Sequence, residues 1–395
     1  MTAPQACADE LRARMVQRLA ANTYLAQWAR AWKPWQPMLA AVPRHRYLPD
    51  TVWIDNEGDG PALLPLHRSD DPDRWLELAY CDEAVVIQVD DGRPTGSDLA
   101  GRIPTSSASS PIIVAVMLAA LDTQPGQRVC EIGTGAGYNA ALLAHRLGAD
   151  QVTSIEVDPE MASRARLALS DTGYGEVAVV TADGALGYPQ GAPYDRIIAT
   201  AAAHRIPYPW VEQTRPGGRI LLPWANSYTG ALVALTVDTH CSASGTVVGE
   251  SSFMPLRQQR ERRGSVRSVV GSSDNRGELS VTRLHPHWVC ADQGARFAIG
   301  QRVPCCQWRY WAYDEQDGQA VLWLLDFESR SWAMLTHSTP DASEGEFLVR
   351  QHGPRRLWDE VGAAHQWWVD HGKPGVDRWS FTVTATEQRI EIRSN

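Results

Sequence analysis

The chain has 395 residues, 44% hydrophobic and 21% charged, which supplies apolar material for two or three cores and excludes a disordered or collagen-like polypeptide. Its formal net charge of −9 argues against a nucleic-acid partner held by a broadly basic surface. The longest apolar run, residues 111–121 (PIIVAVMLAAL), is about half of the roughly 20 residues of a membrane helix, and the first residues lack the apolar segment of a secretory signal, so no membrane partner and a cytoplasmic location are expected.

Residues 1–110 read as an N-terminal helical and substrate-facing layer. Apolar residues recur at Leu11, Met15, Leu19 and Ala20 with nearly helical period, until Pro34, Pro37 and Pro43 break the pattern. From 49 to 101 the chain is rich in Asp, Gly and Pro, the composition of turns and loops, with a short strand over 84–89. Helical spacing resumes at Pro111, a proline at a helix start with Ser109 or Ser110 available as cap. Between 128 and 237 short apolar runs alternate with helical stretches, the rhythm of a doubly wound parallel sheet, and residues 111–256 are assigned to that α/β core. Residues 257–280, filled with Arg, Ser and Gly, read as a linker or exposed arm. Its Arg257, Arg260, Arg262, Arg263 and Arg267 either receive an acidic peptide or keep a surface loop soluble. Residues 281–395 carry strand-like runs at 320–326 and 380–386 and read as an independent C-terminal α+β domain. There Trp367 and Trp368 are adjacent and cannot both face one interior, which makes one of them a candidate for an exposed binding position. The seven cysteines are odd in number and scattered without a CxxC pair, so neither a metal site nor a disulfide framework is expected.

The chemistry is legible in residues 128–138, RVCEIGTGAGY. Gly133, Gly135 and Gly137 follow a predicted strand and precede a helix beginning near Asn139, where glycine lets the backbone turn sharply and approach a ligand. The third glycine of a dinucleotide fingerprint would fall on Tyr138, which disfavours a nicotinamide oxidoreductase. The spacing is GxGxG, preceded by Glu131 two residues before the first glycine, and it resembles the first motif of class I S-adenosylmethionine (SAM) methyltransferases. The next predicted strand ends at Glu156, whose carboxylate can accept from both hydroxyls of a ribose. Asp183, after the third strand-like run, is placed to receive an adenine amino group. The fourth strand lies within 192–203, and RPGGRILLP (215–223) turns into a fifth.

From about residue 42 to 256 the chain resembles the protein L-isoaspartyl O-methyltransferases. The blocks that carry the likeness are VPRHRYLP (42–49), AYCDEAVVI (79–87), SSASSP (106–111), VCEIGTGAGYNAALLA (129–144), DGALGYPQGAPYDRIIATAAAHRIP (183–207), RPGGRILLP and FMPL (253–256). The resemblance implies a Rossmann-like class I SAM fold and SAM as cofactor. Glu131, Gly133, Gly135 and Gly137 are then expected at the methionine portion, Glu156 at the ribose and Asp183 at the adenine, with Thr134, Val157 and Gly184 as further cofactor contacts. In that family a Thr-x-Ser-x-Pro loop holds the substrate carboxylate, and alignment on Pro111 puts Ser107 and Ser109 at its hydroxyl positions as the catalytic pair. The threonine position is serine here, and the stretch before it is expanded to residues 88–105. Ser106, Ser110 and His204 complete the expected substrate contacts, with a structural role for His204 as the competing reading. The same serines could instead cap the following helix, and His45 is expected to position the N-terminal layer.

Repair members of that family are compact, whereas this chain continues through residues 257–395. Such an extension resembles the methyltransferases that tailor ribosomally made peptides, among them lanthipeptides, lasso peptides and graspetides. The first expectation is therefore esterification of an aspartyl side chain in a constrained precursor peptide, leading through succinimide to isoaspartate. The alternatives are a repair enzyme acting on isoaspartate in damaged proteins and a SAM-binding interaction protein without turnover.

Overall fold

The helix Pro111–Leu121 has no polar residue along its length, and nine of its eleven residues are buried. A helix apolar all round belongs inside a protein, and this one lies between the N-terminal helices and the central sheet. The computed structural model describes residues 3–56, 63–94, 99–262, 264–271, 277–314, 319–337 and 345–393. Met15 and Leu19 of helix Ala3–Ala20, with Trp35 and Leu39 beyond it, pack in the same core as that buried helix.

Beside these helices lies a four-stranded antiparallel sheet of β1 (Thr51–Asp55), β2 (Leu63–His67), β3 (Val85–Val89) and β4 (Pro104–Ala108), in the order β2-β1-β3-β4. The central sheet contains β5 (Val129–Ile132), β6 (Val152–Glu156), β7 (Ala178–Thr181), β8 (Tyr194–Ala199), β9 (Thr214–Ala225), β10 (Gly230–Val237) and β11 (Ala243–Gly249). Strands β7-β6-β5-β8-β9 are parallel, and β10 and β11 continue antiparallel. The chain runs from β5 outward to β6 and β7, then returns to the other side of β5 as β8. That reversal opens a crevice at the carboxyl ends of β5 and β8, where ligands bind in doubly wound sheets. The fold is the class I SAM methyltransferase fold with added N- and C-terminal parts.

Residues 281–395, expected as one separate domain, divide between two sheets. β12 (Glu278–Thr282), β13 (Gln307–Asp314), β14 (Gln319–Asp326), β15 (Ser331–His337) and β16 (Phe347–His352) form an antiparallel sheet ordered β12-β16-β15-β14-β13. β17 (Trp379–Val383) and β18 (Gln388–Ile392) instead extend the central sheet, β17 pairing with β11. Aromatic packing makes this union: Phe297 packs at a tilt with its ring centroid 5.2 Å from those of both Trp224 and Trp379, and Phe381 lies edge-on 5.6 Å from Trp224. The β9–β10 turn adds a second joint. Tyr228 at its tip is buried in the core of the C-terminal sheet and donates to the Val289 carbonyl at 3.1 Å.

The arginine-rich segment, expected as a linker or exposed arm, is anchored at Val269 of helix Val266–Val270, which is buried with Trp323 and Trp332. Arg262 and Arg267 are exposed, and Arg263 lies outside the described residues. Trp367 does not stand open as an exposed binding residue either. It is half-buried, with the Arg302 guanidinium 4.4 Å from its ring and His371 stacked on it at 4.0 Å, while Trp368 is buried. Among the described residues no helix is long and apolar enough to cross a membrane, and all seven cysteines are free thiols.

Candidate active site

β5 delivers the chain into the glycine turn, and the turn has a shape that side chains would obstruct. Gly133 has φ +97°, and a Cβ there would lie 2.7 Å from Thr200 Oγ1. Gly135 has φ +53°, and a Cβ there would point toward Ser106 Oγ at 3.8 Å. Thr200 donates to the Gly133 carbonyl at 2.5 Å, tying the end of β8 to the turn.

Two carboxylates brace the turn. Glu131 is fully buried and accepts from Ser154 Oγ at 2.5 Å and from Asn139 Nδ2 at 2.7 Å. Burial pushes its pKa up to about 7 against those two hydrogen bonds, with the Glu156 charge adding to the rise. Thr134 shares Ser154 through a 2.6 Å hydroxyl contact. Glu156, at the end of β6, accepts from the Gly135 N–H at 2.9 Å with one oxygen and from the Asp158 N–H at 3.0 Å with the other. Each oxygen has two lone pairs, so one acceptor site on each is left for a pair of ribose hydroxyls. Val157 and Gly184 line the same cleft. Asp183, expected at the adenine, is not among the residues lining the cleft, and its carboxylate accepts from the Ala185 N–H at 2.9 Å.

The serines face the turn from the other side. Ser106 and Ser107 lie on β4, a strand the sequence did not reveal, and Ser109 and Ser110 follow it into the buried helix; all four line the cleft. Ser110 occupies the N-cap position but makes no side-chain cap bond, and Asp82 accepts from the Ile112 N–H at 2.9 Å instead. The serine hydroxyls therefore do not serve as the cap. A residue missed in the sequence, Arg44, holds this loop in place. Fully buried, it donates to the carbonyls of Ala79 at 2.5 Å, Ala108 at 3.0 Å and Ser109 at 2.9 Å. Its signal in the sequence is its place in the VPRHRYLP block beside His45. His45 contacts the Tyr80 hydroxyl at 2.6 Å within the N-terminal layer, in keeping with a positioning role.

His204 is not brought to the cleft. Its side chain is exposed, and its backbone serves local contacts, with the amide donating to Gln259 and the carbonyl accepting from Trp224. Its carbonyl also accepts from Gln388 Nε2 at 3.0 Å, and His204 does not line the cleft that the four serines line.

The expanded 88–105 stretch supplies a latch that the sequence also hid. Thr105 donates to Gln88 at 3.0 Å, Gln88 donates to Asp158 at 3.0 Å, and Arg257 lies 3.3 Å from Asp158 and 3.4 Å from Asp91. Arg260 reaches both oxygens of Asp91 at 2.7 and 2.8 Å. Burial opposes ionisation of Asp158, but the Met161 N–H, Gln88 and Arg257 outweigh it and hold its carboxyl below the ordinary value. The latch fixes β4 over the end of β6. The whole cleft measures about 1080 Å³, which exceeds the usual small-ligand pocket, and its far wall includes Arg296, Trp308 and Arg309 of the C-terminal part. The glycine cradle, the paired acceptor sites of Glu156 and this volume fit a SAM molecule together with an acceptor segment.

Comparison with known proteins agrees with this geometry. The sequence model of the family described as protein-L-isoaspartate(D-aspartate) O-methyltransferase matches residues 62–261. A protein-L-isoaspartate O-methyltransferase 2 of Archaeoglobus fulgidus is 43% identical over 150 residues, covering 38% of this chain and 68% of the relative. The protein-L-isoaspartate O-methyltransferase of Staphylothermus marinus is 39% identical over 182 residues, covering 44% of this chain and 74% of the relative. A solved structure called a protein-L-isoaspartate O-methyltransferase aligns with a TM-score of 0.51 at 17% identity, covering 96% of this chain and 99% of its own.

Proposed function

The chain belongs to the protein-L-isoaspartate(D-aspartate) O-methyltransferase family, and on that premise we propose that its cleft esterifies the carboxylate of an isoaspartyl residue in a protein or peptide. It is a SAM-dependent carboxyl O-methyltransferase. The observation that carries the reading is the approach of the serine strand to the glycine turn, with Ser106 Oγ beside Gly135 and the helix cap supplied by Asp82.

SAM, when bound, supplies a methyl group on a positively charged sulfur. A side-chain carboxylate with a pKa of about 4 is already ionised at neutral pH, so the site needs no general base to make the nucleophile. The hydroxyls of Ser106, Ser107 and Ser109 donate to that carboxylate and fix the attacking oxygen without placing a second cation beside the sulfonium. Glu156 anchors the ribose, and the glycine turn with Glu131 behind it sets the depth of the methionine portion. Orientation of this kind supplies up to about 7–11 kcal/mol of a barrier. The resulting ester loses methanol as the neighbouring backbone nitrogen attacks it, and the succinimide so formed opens to aspartate or isoaspartate.

The chain beyond residue 256 is the sequence feature that favours an ordinary aspartate of a ribosomally made peptide. We rank that acceptor second, because a solved structure called a protein-L-isoaspartate O-methyltransferase has a fold that aligns with 96% of this chain, and length alone then does not favour peptide tailoring. A tailoring role is retained as the second reading on a different ground, that Arg296, Trp308 and Arg309 line the same cleft as the serines.

Intact-mass analysis with SAM separates the two. Methyl gain on an isoaspartyl peptide but not its aspartyl counterpart supports the first reading; methyl gain confined to a constrained aspartyl peptide supports the second. Binding of SAM with no methylation of any acceptor refutes both.

A further inference from the structure

Charges of both signs line the cleft: Asp82 and Glu83 stand exposed on the serine side, Glu250 follows β11, and Arg296 and Arg309 stand on the far wall. The charges of Arg257 and Arg260, nearer the cofactor end, are already met by Asp91 and Asp158. Arg296 is different: its guanidinium donates to the Cys290 carbonyl at 3.0 Å, which orients it without neutralising it. The wall around it is stiff, because Trp308 Nε1 donates to the Tyr228 carbonyl at 2.9 Å and Asn226 donates to the Gly300 carbonyl at 2.8 Å. A preset guanidinium in a half-buried wall is a carboxylate receptor, and the acidic pair opposite repels the same group.

We propose that the acceptor is an acidic peptide, in which a second carboxylate flanking the methylated residue docks on Arg296 of the far wall. The inference rests on the methyltransferase reading above and adds to it the chemistry of the acceptor's neighbours. Asp82 and Glu83 then set polarity, so the acid is favoured on one flank of the target residue and disfavoured on the other. The C-terminal part acts as a specificity wall of the catalytic cleft.

The test uses the full chain and fluorescein-labelled isoaspartyl and aspartyl peptides with neutral flanks or with glutamates on one flank or the other. Affinity is read by fluorescence anisotropy in the presence of S-adenosylhomocysteine, and methyl transfer by mass. One acid-flanked peptide is expected to bind about tenfold more tightly than its neutral counterpart. That ratio collapses toward one in Arg296→Gln and is largely kept in Arg296→Lys. Equal affinities for all flanks overturn the inference, as does an acid preference that survives Arg296→Gln. If Arg296→Gln lowers the thermal midpoint sharply, Arg296→Met, which keeps the packing of the side-chain stem, carries the comparison. Arginine-dependent binding without methylation overturns the enzymatic reading but keeps the inference; methylation without a flank preference does the reverse.

Discussion

Arg44 and Ser109 are 65 residues apart in sequence and joined by a 2.9 Å hydrogen bond from the guanidinium to the Ser109 carbonyl. The same guanidinium binds the end of helix Pro72–Tyr80 through Ala79, so one buried cation fastens the serine loop to the N-terminal layer. Desolvation lowers its pKa, and the carbonyl fan is what keeps a charge tolerable there. Arg44→Lys retains the charge but cannot span both sets of carbonyls. The expected loss is about 3 kcal/mol of folding stability in urea, together with a raised KM for the acceptor peptide and a SAM affinity close to the parent's. An unchanged acceptor KM in a folded Arg44→Lys protein would reduce Arg44 to a structural brace.

Glu156 offers one remaining acceptor site on each oxygen. Glu156→Ala removes both and strands the Gly135 and Asp158 N–H groups, so SAM affinity by calorimetry should fall at least about 100-fold, given hydrogen bonds to a charged group worth about 1.5–3 kcal/mol each. Affinity within threefold of the parent would remove the ribose assignment.

The central sheet was legible because β5, β6 and β8 are short apolar runs between helical stretches, and because glycine at 133, 135 and 137 has few uses other than a turn near a ligand. β4 was not, since PTSSA has no apolar alternation and is a strand only through its pairing with β3. Arg44 was hidden for a related reason: local pattern cannot announce that a charged residue is buried by partners 35 and 65 positions away. The return of β17 to β11 is a pairing across more than a hundred residues, beyond any window of periodicity, so residues 281–395 read as separate. His204 was misplaced because a position shortly after β8 does not fix where the side chain goes, and it is exposed outside the cleft lining.

The serines should separate binding from transfer. Ser109→Ala and Ser106→Ala each delete one donor to a carboxylate, a change worth about tenfold or more in kcat/KM for the acceptor. SAM affinity should stay within twofold, since neither hydroxyl is needed for the ribose or the glycine turn. Full activity in Ser109→Ala would leave the loop's backbone, held by Arg44, as the positioning element.

Glu131 links the site to pH. Its pKa of about 7 lies above the ordinary 4.5, so the folded chain holds this proton more tightly than the unfolded chain does. Its contribution to stability is thus fully present below about pH 4.5 and is lost as pH rises through 7, a change of up to about 3 kcal/mol. Glu131→Gln cannot ionise and escapes that decline, but its amide N–H meets the Ser154 or Asn139 donor at every pH, a fixed cost. Urea unfolding should therefore show Glu131→Gln well below the parent in stability at pH 5, with the gap narrowing steadily up to pH 8. A gap independent of pH would mean that the two hydrogen bonds outweigh burial and that Glu131 is an ordinary carboxylate in the folded chain.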